Sequence, residues 1–150
     1  MSELLPVEMR DVPVTLWHDT RRWFEELVRE FAVVATSSPD AQVPRRLLEF
    51  VDEVRGRFSR FSESANIELE EAYAEGRQRA SVNLHLPAEA GPIARELYDL
   101  ILRADEVCRE GHLLTMALSE PMNRFLEWYL SEVDRQLQGA EPTPWQLSDS

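Results

Sequence analysis

The sequence predicts a mainly α-helical fold: a bundle of four long helices plus one short helix, with a minor pair of short strands as the reservation. In four long segments apolar residues recur at alternating spacings of three and four, the period of a helix with one buried face. Short stretches rich in Ser, Pro, Asp and Gly separate them, and a period of two surfaces only briefly. Amphipathic helices on short connections bury their stripes most simply against one another.

The first helix is expected over 14–34. Trp17, Thr20, Phe24, Leu27, Phe31 and Val34 share one face, and Arg21, Arg22, Glu25, Glu26, Arg29 and Glu30 turn mostly away from it. TSSPDAQ (36–42) is a loop by composition. A second helix opens near Val43 and Pro44, proline being tolerated in a first turn. It runs to about Phe61 with Leu47, Phe50, Val51, Val54, Phe58 and Phe61 inward, and its arginines make it the most basic element of the chain. A short acidic helix follows over 66–75. Asn66 serves as its N-cap, Glu68, Glu70 and Glu71 suit the positive end of its dipole, and Gly76 takes the C′ position.

Within 81–86 the period changes, Val82, Leu84 and Leu86 alternating with Ser81, Asn83 and His85 as in a short strand that Pro87 ends. The next long helix spans about 92–110, with Ile93, Leu97, Tyr98, Ile101, Ala104 and Cys108 inward and Gly111 at its stop. The segment 112–116 is the second candidate strand. Ser119 caps the last helix, over 120–138, whose stripe is Met122, Phe125, Leu126, Tyr129, Leu130, Val133 and Leu137 and which ends at Gly139. The division is a single helical domain, 1–139, and a tail containing proline and tryptophan, 140–150.

Composition narrows the function. A chain of 150 residues buries roughly 68–70% of its unfolded surface, enough for one proper core. Its formal net charge of −12 argues against nucleic acid or an anionic membrane as partner, since both need clustered cations. Every one of the 16 basic residues is arginine, which removes a Walker lysine, a Schiff base and a lysine general base. The single cysteine excludes an intrachain disulfide and fits a reducing cytosol. The N-terminal MSELLPVEMRDV lacks the basic and apolar regions of a signal peptide, and the longest apolar run, 31–35, is far too short for a membrane span. The expected location is cytoplasmic.

Few residues offer chemistry. His18, His85 and His112 stand in no metal-binding spacing, and neither a phosphate loop nor a nucleophile elbow is present, so no cofactor and no catalytic residue are expected. Cys108 and His112 are four apart, but a helix ending at Gly111 would separate them and leave Cys108 as a buried structural residue. His18-Asp19 matches the pairing of phosphoacceptor helices in histidine kinases, which makes a helical phosphotransfer protein using His18 the alternative reading. Trp23, Trp128 and Trp145 lie off the stripes or beyond the last helix and are the candidate interaction surface.

Three blocks carry a resemblance: Val12-Pro13-Val14 leading into ELVREFAVVA (26–35), VPRRLLEFVDEVRGRF (43–58), and above all FLEWYLSEVDRQLQGAEPTPW (125–145). In these the chain resembles an actinobacterial helical family of unassigned activity, found beside anti-sigma-factor kinases, STAS-domain antagonists and their phosphatases. The resemblance implies a non-enzymatic regulatory or protein-interaction module in partner-switching signalling. Its partner would be an anti-sigma kinase, a STAS antagonist or a second copy in a homodimer. Histidines often occupy, in that family, the places held here by Trp23 and Phe24, so no role transfers to those two.

Overall fold

The computed structural model describes residues 3–37, 42–112 and 117–146. It is mainly helical, with four helices and a two-stranded antiparallel sheet among those residues. In chain order these are β1 (Leu4–Pro13), α1 (Val14–Ser37), α2 (Gln42–Ala74), β2 (Arg79–Pro87), α3 (Ala90–Val107) and α4 (Glu120–Leu137), with a π-helical turn, Cys108–His112, extending α3.

The expected second helix and short acidic helix are one continuous element of 33 residues. Asn66 therefore does not cap a helix but lies inside one. The reason is a stripe that never breaks: Phe58, Ala65, Leu69 and Ala72 are buried at spacings that continue those of Leu47 and Val51. Ser62, Ser64 and Asn66 sit on the other faces, where polar residues do not interrupt a helix. The stop at Gly76 is as expected. Gly76, at φ 73°, donates its N–H to Tyr73 O at 3.1 Å, and Arg77 N–H reaches Ala72 O at 2.9 Å, the paired bonds of a Schellman motif.

Ser119 caps α4 as expected, its Oγ accepting from Met122 N–H at 3.4 Å. Gly139, at φ 102°, closes that helix with a second Schellman pair. At the end of α3 the expectation fails, because the chain continues through Gly111 in the π-helical turn instead of stopping there. Of the candidate strand 112–116, His112 belongs to that turn, and 113–116 lie outside the described residues.

The sheet pairs β2 with β1, a strand absent from the sequence reading. Val82, Leu84 and Leu86 do point inward, joined by Ala80, and face Val7, Met9 and Val12 of β1. A bulge separates Met9, opposite Val82, from Val12, opposite Ala80. Asp11 takes φ 56° there and donates its N–H to Ser81 Oγ at 3.0 Å. The extra residue shifts the inward series from odd to even positions, so Val12 rather than Asp11 is buried. The strand pair forms one wall of the core.

Two hydrophobic clusters stack along the bundle. One joins the sheet to Trp17, Phe58, Leu69, Ala94, Phe125 and Val133. The other gathers Trp23, Leu27, Phe31, Leu47, Val51, Ile101 and Cys108. α2, roughly 50 Å long at 1.5 Å per residue, runs past both. α3 and α4 meet at Gly91, where an added Cβ would stand 2.9 Å from the Asp134 carboxylate.

Candidate functional site

Where the two clusters meet, the four helices do not close on one another. The gap is a groove of about 840 Å³, lined from α1 by Trp17, Thr20, Arg21 and Phe24, from α2 by Val54, Phe58 and Ile67, from α3 by Leu97 and Ile101, and from α4 by Phe125, Leu126, Tyr129 and Leu130. Its size is that of a small-molecule site and its walls are largely apolar. A depression of about 320 Å³ on the outer flank of α2 is lined by that helix alone, Arg60 to Glu71, and offers no enclosure.

Ser59, Ser62 and Asn66 of α2 add polar groups to the walls of the groove. At its rim Arg21 Nη1 donates to Glu70 Oε1 at 2.9 Å, Arg21 Nε stands 3.6 Å from Glu25 Oε1, and the guanidinium lies 5.4 Å from the Trp17 ring centre. Within the wall is Thr20, 2% exposed, whose Oγ1 is buried behind the groove surface without a hydrogen-bond partner. Thr20 sits on the buried stripe of α1, as its spacing predicts, and that position carries a hydroxyl into an apolar wall. Tyr129 stands on the opposite helix. Burial pushes its phenol up to about 12, with Arg21 pulling more weakly the other way. Two other buried side-chain atoms lack partners among the described residues, His18 Nδ1 and Arg124 Nε, and neither residue lines the groove.

His18, the residue of the alternative phosphotransfer reading, is half-buried on α1. Its ring stacks on Tyr73, 3.7 Å between centres and 7° from parallel. Asp19 is beside it, with Oδ1 3.6 Å from Nδ1, too far for a hydrogen bond.

The three tryptophans do not converge. Trp23 is 7% exposed and belongs to the second cluster, because a spacing of 20, 23, 27 and 31 serves the helix as well as one through Phe24. Phe24, expected in the core, is half-buried and lines the groove instead. Trp128 and Trp145 do meet, 5.5 Å between ring centres, and both pack on Phe125. They hold the tail against its own fold: Trp128 Nε1 donates to Thr143 O at 2.9 Å, and Trp145 N–H donates to Arg10 O at 3.0 Å.

A buried carboxylate organises this tail contact. Glu132, 3% exposed, accepts from Thr143 N–H at 2.8 Å and Gln136 Nε2 at 2.9 Å, and pairs with Arg135. Gln136 in turn brackets Glu8 of β1, its Oε1 accepting from Glu8 N–H and its Nε2 donating to Glu8 O, each at 2.8 Å. The side-chain amide thus occupies the open edge of β1 as a neighbouring strand would, and Trp145 does the same two residues on.

Cys108 is fully buried, and burial pushes its thiol above the ordinary range, which suits a packing residue. Among the described residues no group of three His, Cys, Asp or Glu could hold a metal ion, and no helix is long and apolar enough to cross a membrane. No family model matches the chain, and no curated protein or solved structure matches it either.

Proposed function

We propose that this chain is a regulatory module that acts by binding, with the interhelical groove as its recognition site. One observation carries the reading: between its two core clusters the bundle leaves an open, largely apolar groove of about 840 Å³ lined from all four helices. Clefts of this volume with mostly apolar walls are the usual seats of bound guests. The walls supply shape and apolar surface, whereas catalysis asks for a positioned nucleophile or base.

The resemblance to helical proteins of partner-switching systems supplies the context of the proposal. In that context groove occupancy sets how the module meets an anti-sigma kinase or STAS antagonist, or a second copy of itself. Surface plasmon resonance of the purified chain against both classes of partner tests this, with Phe24→Ala and Val54→Trp as groove variants. Binding that either variant weakens supports the regulatory reading. Binding to neither class, together with a monomer by sedimentation for wild type and variants alike, rejects it.

A further inference from the structure

We infer that the chain dimerises by pairing β2 with β2 of a second copy, antiparallel and about a two-fold axis at Asn83. This goes beyond the groove reading above and uses a different surface. The strand register shows where the open hydrogen-bonding groups lie. Glu8 of β1 gives both its N–H and its C=O to Gln136, so its neighbours Val7 and Met9 turn theirs toward β2. Leu84 and Val82 stand opposite them, which leaves the backbone groups of Ser81, Asn83 and His85 on the far edge of the sheet. Among the described residues none of those backbone groups has a hydrogen-bond partner. All three residues are exposed, alternating with the buried Val82, Leu84 and Leu86.

The two edges of this small sheet differ. On β1, Pro6 withholds an N–H at an outward position, the Gln136 amide covers Glu8, and Trp145 N–H donates to Arg10 O at 3.0 Å. Between Ala80 and Leu86, β2 has no proline, no bulge and no side chain lying on its edge, and no Asp, Glu or Arg either. Natural edge strands are usually blunted by such devices, and a bare edge is a template for another strand.

The pattern of β2 suits a copy of itself. The strand spans Arg79–Pro87, so its midpoint is Asn83. A two-fold axis there uses the whole strand, setting Asn83 against Asn83 and Ser81 against His85 of the second copy. Each facing pair exchanges two backbone bonds, about six in all. No like charges stand opposite one another on the outer face. On a chain of formal net charge −12, the run 80–86 lets two copies approach without opposing carboxylates. The pairing also closes. Its product is a four-stranded sheet whose outer strands are the two copies of β1, with their guarded edges outward, so association stops at a dimer instead of growing into a fibre.

Sedimentation equilibrium of the full chain should show monomer and dimer with a dissociation constant on the order of 10–100 µM, as suits a small interface held by main-chain bonds. Asn83→Pro removes the two central N–H donors, which face away from β1, and should weaken the dimer by about tenfold or more. Asn83→Lys sets two ammonium groups opposite each other and should weaken it by about threefold or more, and it serves where the proline variant fails to fold. Cross-linking reads the register. In a hydrogen-bonded antiparallel pair the Cα atoms stand about 5.5 Å apart, within reach of a disulfide. With diamide as oxidant, Asn83→Cys should therefore give a covalent dimer, the native Cys108 being buried. Ser81→Cys alone and His85→Cys alone should not, since each lies about 13 Å from its own counterpart, but a mixture of the two should.

A strict monomer at millimolar concentration overturns the inference, as does a dimer indifferent to both Asn83 variants. Cross-linking of Ser81→Cys to itself overturns the register. If Val54→Trp dissolves the dimer and Asn83→Lys does not, the second copy sits in the groove, and this inference fails while the regulatory proposal stands. If the chain alone is monomeric and Asn83→Lys abolishes its binding to an anti-sigma kinase or STAS antagonist, the edge takes a foreign strand and self-pairing fails. An edge dimer untouched by Phe24→Ala and Val54→Trp supports the pairing; with neither partner class bound, the groove reading then fails alone.

Discussion

Replacing Glu132 with alanine should release the C-terminal tail as well as destabilise the fold, and the two effects should be coupled. The carboxylate is 3% exposed and accepts two hydrogen bonds besides pairing with Arg135. Hydrogen bonds to charged groups are worth about 1.5–3 kcal/mol each, but Thr143 N–H and Arg135 can turn to water once freed. A net loss of about 2–4 kcal/mol follows. Truncation after Gly139 removes Thr143 and Trp145 and should cost about 1–3 kcal/mol, chiefly the Trp145 contact with Phe125 and Trp128. The Thr143–Glu132 bond is counted in both losses, so the double variant should be less destabilised than their sum by about 1 kcal/mol. Urea unfolding of the four proteins, followed by far-ultraviolet circular dichroism, closes the cycle. Additivity within about 0.3–0.5 kcal/mol would show that the tail and the carboxylate act independently, and the strap-like role given to Glu132 would be refuted.

Tyr129 gives a pH signature. Its folded pKa of about 12 lies above the unfolded value near 10, so the native state keeps a proton that the unfolded chain loses. The Tyr129 contribution should be constant below pH about 10 and fall by roughly 2–3 kcal/mol between pH 10 and 12. Tyr98 and Cys108, also raised by burial, act in the same direction. Tyr129→Phe should flatten the fall, and an unchanged slope in urea titrations at pH 9–11.5 would count against an enclosed phenol. Gly91→Ala forces a Cβ against Asp134 and should cost about 1–3 kcal/mol, whereas a neutral result would mean that α3 and α4 can separate without loss. Phe58→Ala should cost about 3 kcal/mol, the low end for phenylalanine, because the ring already borders the groove. A loss of 5 kcal/mol in thermal or urea unfolding would indicate a groove closed in solution.

The helices were legible because their signals are local. Ser119, Gly76 and Gly139 act on backbone groups within one turn, and a stripe of apolar residues announces its own period. β1 was illegible for a reason of the same kind. Its inward residues are Val7, Met9 and Val12, an alternation broken after two members by the bulge at Asp11. Pro6 and Pro13 further disguise it, since proline argues against a strand interior. Its partner β2 alternates strictly from Ala80 to Leu86 and could be read at once. The expected break in α2 rested on Asn66 as an N-cap, whereas the stripe continues across it through Ala65, Leu69 and Ala72, two of them alanines that register weakly as apolar.

The candidate site was less legible, because a groove is defined by what fails to meet. Trp17, Thr20, Phe24, Phe58 and Tyr129 each read as core, and only the relative placement of four helices leaves a gap between them. One trace existed in the sequence: Thr20 is the polar member of an otherwise apolar stripe. Conversely, the block 125–145, the most distinctive in the chain, pointed outward to a partner. The structure uses much of it within the fold, Phe125, Trp128 and Trp145 as an aromatic cluster and Glu132, Arg135 and Gln136 as ties to the tail and to β1. Phe125 belongs to both parts, lining the groove beside Tyr129 while its ring packs on Trp128 and Trp145. Whatever fills the groove presses on the rings that hold the tail. If the tail is released by Glu132→Ala, the affinity of the groove should change with it, and an affinity indifferent to tail truncation would separate the two halves of the device.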